Sequence, residues 1–435
     1  MSVGVHEGVA AGGSGGAGAH AFEGPVRHVY VHVPFCRAKC DYCDFASVAV
    51  GDPADGRGRA RAQGNGRVGA EAARRLDAFV DGVAAEWERE RAAHDVRRLH
   101  TLYLGGGTPS LLGPDRLERL LELFRPHLTA HAEVTVEANP EDVDDALAAW
   151  AAAAPVAGGA GAARGARVSL GVQSFAPELR AALGRGAQAD PAAAFGRLRD
   201  AGVANLSVDL IHGIPGQTIA ALDADLAAAI ALRPDHLSWY ELTLARGTPL
   251  ARRLETPDSD EDRDRGARLV DDDRAAGFYR RVVRSLSRAG YDWYEVSNYA
   301  LPGRKARHNL AYWRARPYLG LGPGAVSTVG ARRWTNAAEP RAWAAAPAAG
   351  AIPPREVEDL DAATRARERL LLAARCGERV PLAELAAAVD VTAAPPLAAA
   401  GLVSLHSGTI RVTRKGRHVA DEVCVRLFRD TCLRG

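Results

Sequence analysis

From residue 28 to residue 244 short apolar runs alternate with longer amphipathic stretches. The first run, HVYVHV at 28–33, alternates polar and apolar residues as a strand does. A helical stretch follows at 69–93, with Leu76, Phe79, Val80, Val83 and Trp87 on one face. Strands are then predicted at TLYLG, at EVTVEANP (133–140), at RVSLGVQSF (167–175), at NLSVDLIHGIPGQT (205–218) and at HLSWYELTL (236–244). Helical stretches at 114–124, 190–201 and 219–232, with one more before 167, separate them. Strands alternating with helices predict a parallel α/β architecture. We count about six β/α units, fewer than the eight of a closed barrel.

Polar and glycine-rich residues gather at one end of these strands. A cysteine loop follows the first strand and GGGTPS follows the second, while Glu137, Gln173, Asp209 and the HGIPGQT turn end later ones. In parallel α/β folds that edge receives ligands. The acidic string PDSDEDRDRGARLVDDD (257–273) reads as a solvated linker into a helix at 274–289. Beyond residue 355, helices, a short hairpin and a last helix predict a winged-helix-like α+β domain. Its AAPPLAAAGL stretch is uncharged, so no nucleic acid is expected as a partner. The division expected is a disordered Gly/Ala-rich tail (1–24), a barrel (25–250) with a flexible insertion (49–70), a linker helix and HNLAYW region (251–350), and a C-terminal domain (351–435).

Composition narrows this little. The chain has 435 residues, room for two or three domains, and a formal net charge of +2, which does not suggest a dedicated nucleic-acid binder. Its most Ala-rich segment is broken by Pro155 and glycines, so no integral membrane segment is expected. The first residues lack the basic and apolar regions of a secretion signal.

Three of the six cysteines carry more information. Cys36, Cys40 and Cys43 fall in CRAKCDYC, a C-x3-C-x2-C spacing. Thiolates this close converge on a soft metal centre: an iron–sulfur cluster, zinc or copper(I). Three thiolates on a cubane leave one iron open for a small chelating molecule. A zinc site would need a fourth ligand, which His28 or His32 supplies on paper; unconnected core cysteines are the blandest alternative. Cys376, Cys424 and Cys432 lie far downstream and read as ordinary thiols. Clustered unpaired cysteines suit a reducing cytoplasm.

The cysteine loop with Tyr42 before its last cysteine, then GGGTPS, VEANP, SLGVQSF, VDLIHGIPGQT, YEVSNYA, HNLAYW and YLGLGPGA, resemble in order the radical S-adenosylmethionine (radical SAM) superfamily. Within it the set resembles the HemW heme chaperones, relatives of oxygen-independent coproporphyrinogen III dehydrogenase, over about residues 27–330. The resemblance implies a partial (β/α)6 TIM-like radical SAM barrel. It implies a [4Fe-4S] cluster on Cys36, Cys40 and Cys43, with S-adenosyl-L-methionine chelating the open iron. Gly105, Gly106 and Gly107 would let backbone approach that cofactor, and Thr108 would add a hydroxyl. Glu137 and Asp209 would accept from ribose or amine, Gln173 and Arg185 would contact cofactor, and Tyr30 and Tyr42 would flank it. In HNLAYW, His308 would ligate heme iron, with Asn309, Tyr312 and Trp313 beside it. On the residues alone, His308 reads as a loop histidine bonded to a neighbouring carbonyl.

Two features separate chaperone from dehydrogenase. Where the dehydrogenase has a fourth cysteine, Phe45 stands here, and only the Gly/Ala tail precedes the first strand. Departures from the chaperone pattern are Ala187, Val326 and Ala245-Arg246, where the family shows histidine, histidine and Glu-Pro. The expectation is a cytoplasmic heme chaperone that passes heme to an unidentified acceptor protein, itself membrane-bound or not, without dehydrogenase activity. The alternative is radical oxidative decarboxylation of coproporphyrinogen III.

Overall fold

A computed structural model describes residues 21–50, 69–154, 165–185, 189–256, 270–348 and 350–429. Six parallel strands form its centre: β1 (His28–Val33), β2 (Leu99–Gly106), β3 (Leu128–Ala138), β4 (Arg167–Gln173), β5 (Leu206–His212) and β6 (His236–Glu241). Helices α1 (Ala70–Ala93), α2 (Pro114–Phe124), α3 (Asp145–Ala153), α4 (Pro177–Ala182), α5 (Pro191–Asp200) and α6 (Ile219–Leu232) fill the crossovers. Asp144, Asp190 and Thr218 each accept a first-turn amide of α3, α5 and α6, so these helices start where a capping side chain stands.

The outward positions of the strands are Val and Leu: Val29, Val31, Leu102, Leu104, Val134, Val136, Val168, Leu170, Val208 and Leu210 are all buried in one core with the helices. The inward positions are mostly polar. Register pairs His28 with Thr101, Tyr30 with Tyr103, Glu137 with Ser169, Gly171 with Asp209, and Asp209 with Ser238. Paired residues share a face, so these polar side chains line the barrel's interior. A barrel filled by packed aliphatic layers has no room for a ligand; here the layers are replaced by hydrogen bonds. Ser169 Oγ donates to Asp209 at 2.9 Å, and His236 Nε2 meets the Tyr294 hydroxyl at 2.7 Å. Arg167 donates from Nη2 to His236 Nδ1 at 3.1 Å. A guanidinium only donates, so His236 Nδ1 accepts and its proton sits on Nε2.

Beyond the six units the chain adds the helix expected at 274–289 and several short elements that the repeating pattern did not announce. Helices α7 (Pro249–Glu255) and α8 (Asp272–Arg288) lead to β7 (Asp292–Trp293) and β8 (Asn298–Ala300), which extend the sheet antiparallel beyond β6. Helix α9 (Arg307–Trp313) then leads to β9 (Leu319–Leu321), parallel to β1 at the other edge. Among the described residues the sheet thus has nine strands, ordered β9-β1-β2-β3-β4-β5-β6-β8-β7. Strands of two or three residues give too short a period to read against loop background.

A second sheet joins β10 (Val326–Val329), β11 (Arg332–Asn336) and β12 (Arg355–Asp359). Because β12 pairs with β11, the boundary expected at 351 moves to about residue 360. The C-terminal unit begins with α11 (Ala362–Cys376), after α10 (Pro340–Ala348), and has its own core around Leu370, Leu385, Val403, Val423 and Phe428. Its hairpin Val403–His406 with Thr409–Val412, followed by helix Ala420–Leu427, has the expected winged-helix-like order. The tail expected to end at 24 is anchored earlier: Phe22 is buried and exchanges backbone hydrogen bonds with Ala315 and Gly330. The remaining tail (1–20), most of the insertion (51–68) and acidic residues 257–269 lie outside the described residues. Among the described residues no helix is long and apolar enough to cross a membrane.

Candidate functional site

The cysteine loop leaves β1 and is held at several points. Phe35–Cys36 pairs in parallel with Val48–Ala49, and the Asp41 amide and carbonyl bond Leu183 and Leu250. The Asp41 carboxylate also meets Arg253 at 2.8 Å. Glycines set the loop against β2. A Cβ on Gly107 would lie 2.6 Å from the Phe35 carbonyl oxygen, and one on Gly106, whose φ is +106°, would enter the His32 ring. The amides of Gly107 and Thr108 donate to Val33 and Phe35 at 2.7 Å, which stitches the two strand ends together.

Between them opens a cavity of about 670 Å³ at the C-terminal mouth of the barrel. Cys36, Cys40, Cys43, Tyr42, Gly106, Gly107, Thr108, Glu137, Gln173, Arg185 and Asp209 all line it, eleven of the fourteen residues singled out from the sequence. The three thiols are free and half-buried. Burial pushes the Cys36 thiol up and the Cys40 thiol up to about 11, with Arg185 opposing the rise. A bound metal cation reverses that balance by taking the thiolate directly.

The donor set distinguishes the metal readings. Among the described residues no three His, Cys, Asp or Glu side chains converge on a point that one metal ion could fill. Both nitrogens of His32 are engaged, Nε2 with the Ala46 carbonyl at 3.0 Å and Nδ1 with the Tyr30 hydroxyl at 3.1 Å. His28 sits at the far end of β1. Neither histidine is therefore placed to serve as a fourth zinc ligand beside the cysteine triplet. A cubane asks for something different, one thiolate on each of three separate irons, and the triplet fits that demand.

Polar groups around the cavity are preorganised. Glu137 accepts from the Tyr103 hydroxyl at 2.7 Å and from the Gly106 amide at 3.1 Å. Burial raises its carboxyl to about 7. Burial also raises Asp209, against hydrogen bonds from serines 238, 169 and 207. Gln173 holds a left-handed φ of 64° at a break in register between β4 and β5. A non-glycine residue in that region is strained, and such strain gathers at binding sites. Arg185 donates to the Gly171 carbonyl at 2.9 Å and to the Asn139 side chain. Asn139 in turn donates to Thr108 at 3.1 Å. Sequence reading missed Asn139, Glu141, Ser169 and Tyr240 on this cavity. Asn139 lies two positions after Glu137 in VEANP and was within reach of the strand alternation.

Three singled-out residues lie elsewhere. A Cβ on Gly105 would meet Tyr103 at 2.7 Å and Glu137 at 3.1 Å, so Gly105 makes room for that pair. Tyr30 sits below it, its ring 5.9 Å from that of Tyr103. His308 is on α9 at the opposite, N-terminal mouth. It is 1% exposed, with Nδ1 2.7 Å from Thr101 Oγ1 and Nε2 3.0 Å from the Tyr312 hydroxyl. The Arg307 and His308 amides bond Glu133 at 2.9 and 3.1 Å, which ties α9 to the foot of β3.

Residues 30–229 match the radical SAM superfamily model and residues 360–419 match that of the HemN C-terminal domain. The heme chaperone HemW of Mycobacterium tuberculosis (strain ATCC 25618 / H37Rv) is 38% identical over 91% of this chain and 93% of its own. That of Escherichia coli (strain K12) is 34% identical over 70% and 71%. Among solved structures, coproporphyrinogen III oxidase (HemN) from Escherichia coli superposes with a TM-score of 0.72 at 22% identity, covering 94% of this chain and 91% of that one, a likeness of fold. With its cysteine loop on a half-open parallel barrel, and a relative 38% identical and matched over 93% of its own length, this chain belongs to the HemW heme chaperone family of the radical SAM superfamily.

Proposed function

We propose that this protein is a cytoplasmic heme carrier that also holds a 4Fe-4S cluster and S-adenosyl-L-methionine. Cys36, Cys40 and Cys43 would ligate three irons, and the cofactor's amino and carboxylate groups would take the fourth. Gly106, Gly107, Thr108, Glu137, Gln173, Arg185 and Asp209 would surround the rest of that molecule. When bound, the pair supplies one-electron chemistry; this chain's residues orient the cofactor and keep water out. The observation that carries the reading is that eleven of the residues to which the resemblance gives a cofactor role line one cavity of about 670 Å³. Heme cargo and transfer to an acceptor protein rest on what the relatives are named for. Phe45, 59% exposed at the cavity rim, stands where a fourth cysteine marks the dehydrogenase.

Anaerobic reconstitution tests this. Iron and sulfide analysis should give about four of each per chain, with an electron paramagnetic resonance signal perturbed by S-adenosyl-L-methionine. Hemin titration should give a stoichiometric complex that loses heme to an apo-hemoprotein. Stoichiometric zinc without sulfide would refute the cluster. Conversion of coproporphyrinogen III to protoporphyrinogen would put the enzyme reading first.

A further inference from the structure

The N-terminal mouth of the barrel holds a second arrangement, built on one hydroxyl. Thr101 Oγ1 lies 2.9 Å from His28 Nδ1 and 2.7 Å from His308 Nδ1. A hydroxyl has one proton to give and two lone pairs, so at most one of the two imidazoles accepts from Thr101 and at least one donates to it. The two rings are 6.4 Å apart and steeply inclined, at 79°. Their outer nitrogens differ. His308 Nε2 is taken by Tyr312, and the ring is closed off from solvent. His28 is half-buried, and among the described residues nothing hydrogen-bonds its Nε2.

Positive charge surrounds this imidazole. Arg27, Arg307, Arg316 and His100 all act on His28, and Arg98 and Arg307 act on His100. None of the four arginines forms an ion pair among the described residues; Arg307 spends one N–H on the His131 carbonyl. Arg98, Arg307 and Arg316 are exposed. The acid at this mouth, Glu133, is committed to the amides of α9. Burial, with these cations, lowers His28 to about 4, so it is neutral at pH 7. In the tautomer whose Nδ1–H donates to Thr101, its lone pair is on Nε2.

We propose that His28, through Nε2, is the imidazole this chain offers to the iron of a carboxylate-bearing tetrapyrrole, with His308 a positioning residue acting through Thr101. The proposal rests on the heme reading above and deepens it. A metal-binding histidine whose other ring nitrogen is fixed by a hydrogen bond has a set tautomer and orientation. His28 has that bond and a free nitrogen, whereas His308 has neither nitrogen to spare. The unpaired Arg98, Arg307 and Arg316 then face the cargo's carboxylates.

The test uses the full chain with its cluster reconstituted, titrated with hemin and followed by the Soret band, electron paramagnetic resonance and resonance Raman. His28→Ala should abolish the imidazole-ligated iron signature, and added imidazole should restore it, which also shows that the variant is folded. His308→Ala and Thr101→Val should keep the signature with affinity reduced about tenfold. Hemin dimethyl ester should bind about tenfold more weakly than hemin to the wild type and equally to the triple variant R98Q/R307Q/R316Q. Retention of the signature in His28→Ala, or its loss only in His308→Ala, overturns the assignment while leaving heme binding intact. A wild-type chain that binds no hemin overturns the heme reading itself, and this proposal with it.

Discussion

Glu137 on β3 accepts the backbone N–H of Gly106 on β2 at 3.1 Å, while its other oxygen takes the Tyr103 hydroxyl at 2.7 Å. One carboxylate thereby ties a strand end to the inner wall of the barrel, and both its oxygens are in use.

Glu137→Gln should break this arrangement, because an amide offers one acceptor where two donors wait. Leaving one donor unmet costs about 1–3 kcal/mol. Denaturant melts of the metal-free protein should fall by that amount. In the wild type the carboxyl, raised to about 7 by burial, ionises as pH passes through neutrality. Calorimetry should show S-adenosyl-L-methionine binding strengthening from pH 6 to pH 8 in the wild type and flat in Glu137→Gln; a flat wild-type profile would remove Glu137 from the binding set.

Cys40→Ala should leave the fold in place and empty the loop of its cluster. The loop's own ties, at Asp41 and at Phe35–Cys36, do not use the Cys40 thiol. Iron should drop from about four per chain to well under one, with an unchanged far-ultraviolet circular dichroism spectrum. Full iron retention would mean that another side chain completes the site.

Gly107→Ala should damage both strand ends at once. The added methyl would stand 2.6 Å from the Phe35 carbonyl oxygen and 2.8 Å from that of Val33, both rigid backbone atoms. Overpacking of this kind costs about 1–3 kcal/mol, and the cluster loop moves with it. Lower thermal stability together with reduced iron loading is expected; Gly69→Ala, where no atom lies within 4 Å, should leave iron loading unchanged.

Glu86 on α1 predicts a pH dependence away from the cavity. It is fully buried and accepts from the Gly322 amide at 2.8 Å, from Trp343 Nε1 at 3.1 Å and from the Asn336 side chain at 2.7 Å. Burial raises its carboxyl from 4.5 to about 7. The folded chain therefore keeps a proton that the unfolded chain releases, and stability falls as pH rises between these values. The loss amounts to about 3 kcal/mol by pH 8. Denaturation of Glu86→Leu should be less stable at pH 5 but should not show this decline; an equal decline would assign it to other groups.

Much of this architecture was legible in the chain because strands with one face against helices and the other turned to a polar interior alternate apolar with polar residues, and HVYVHV, RVSLGVQ and HLSWYE all show it. The cavity was legible because its residues sit at strand ends, where Glu137 and Asp209 follow their alternation inward. What stayed hidden was long-range. Nothing around Leu319–Leu321 announces a partner in β1, nearly three hundred residues earlier. Glu86 looks like a surface residue of an amphipathic helix until Asn336 and Trp343 arrive from another part of the chain. His308 was read from its neighbours in sequence, and its burial depends on Thr101, which the local string does not contain.

The polar lining of the barrel has a spatial consequence. The cysteine cavity opens at one mouth and α9 closes the other, with β1 running between them for six residues. Such a strand spans roughly 20 Å. Ligands held at the two ends as proposed would stand that far apart, joined by a column of hydroxyls, imidazoles and carboxylates instead of by contact. Under that proposal, loading one end would leave the other free to empty.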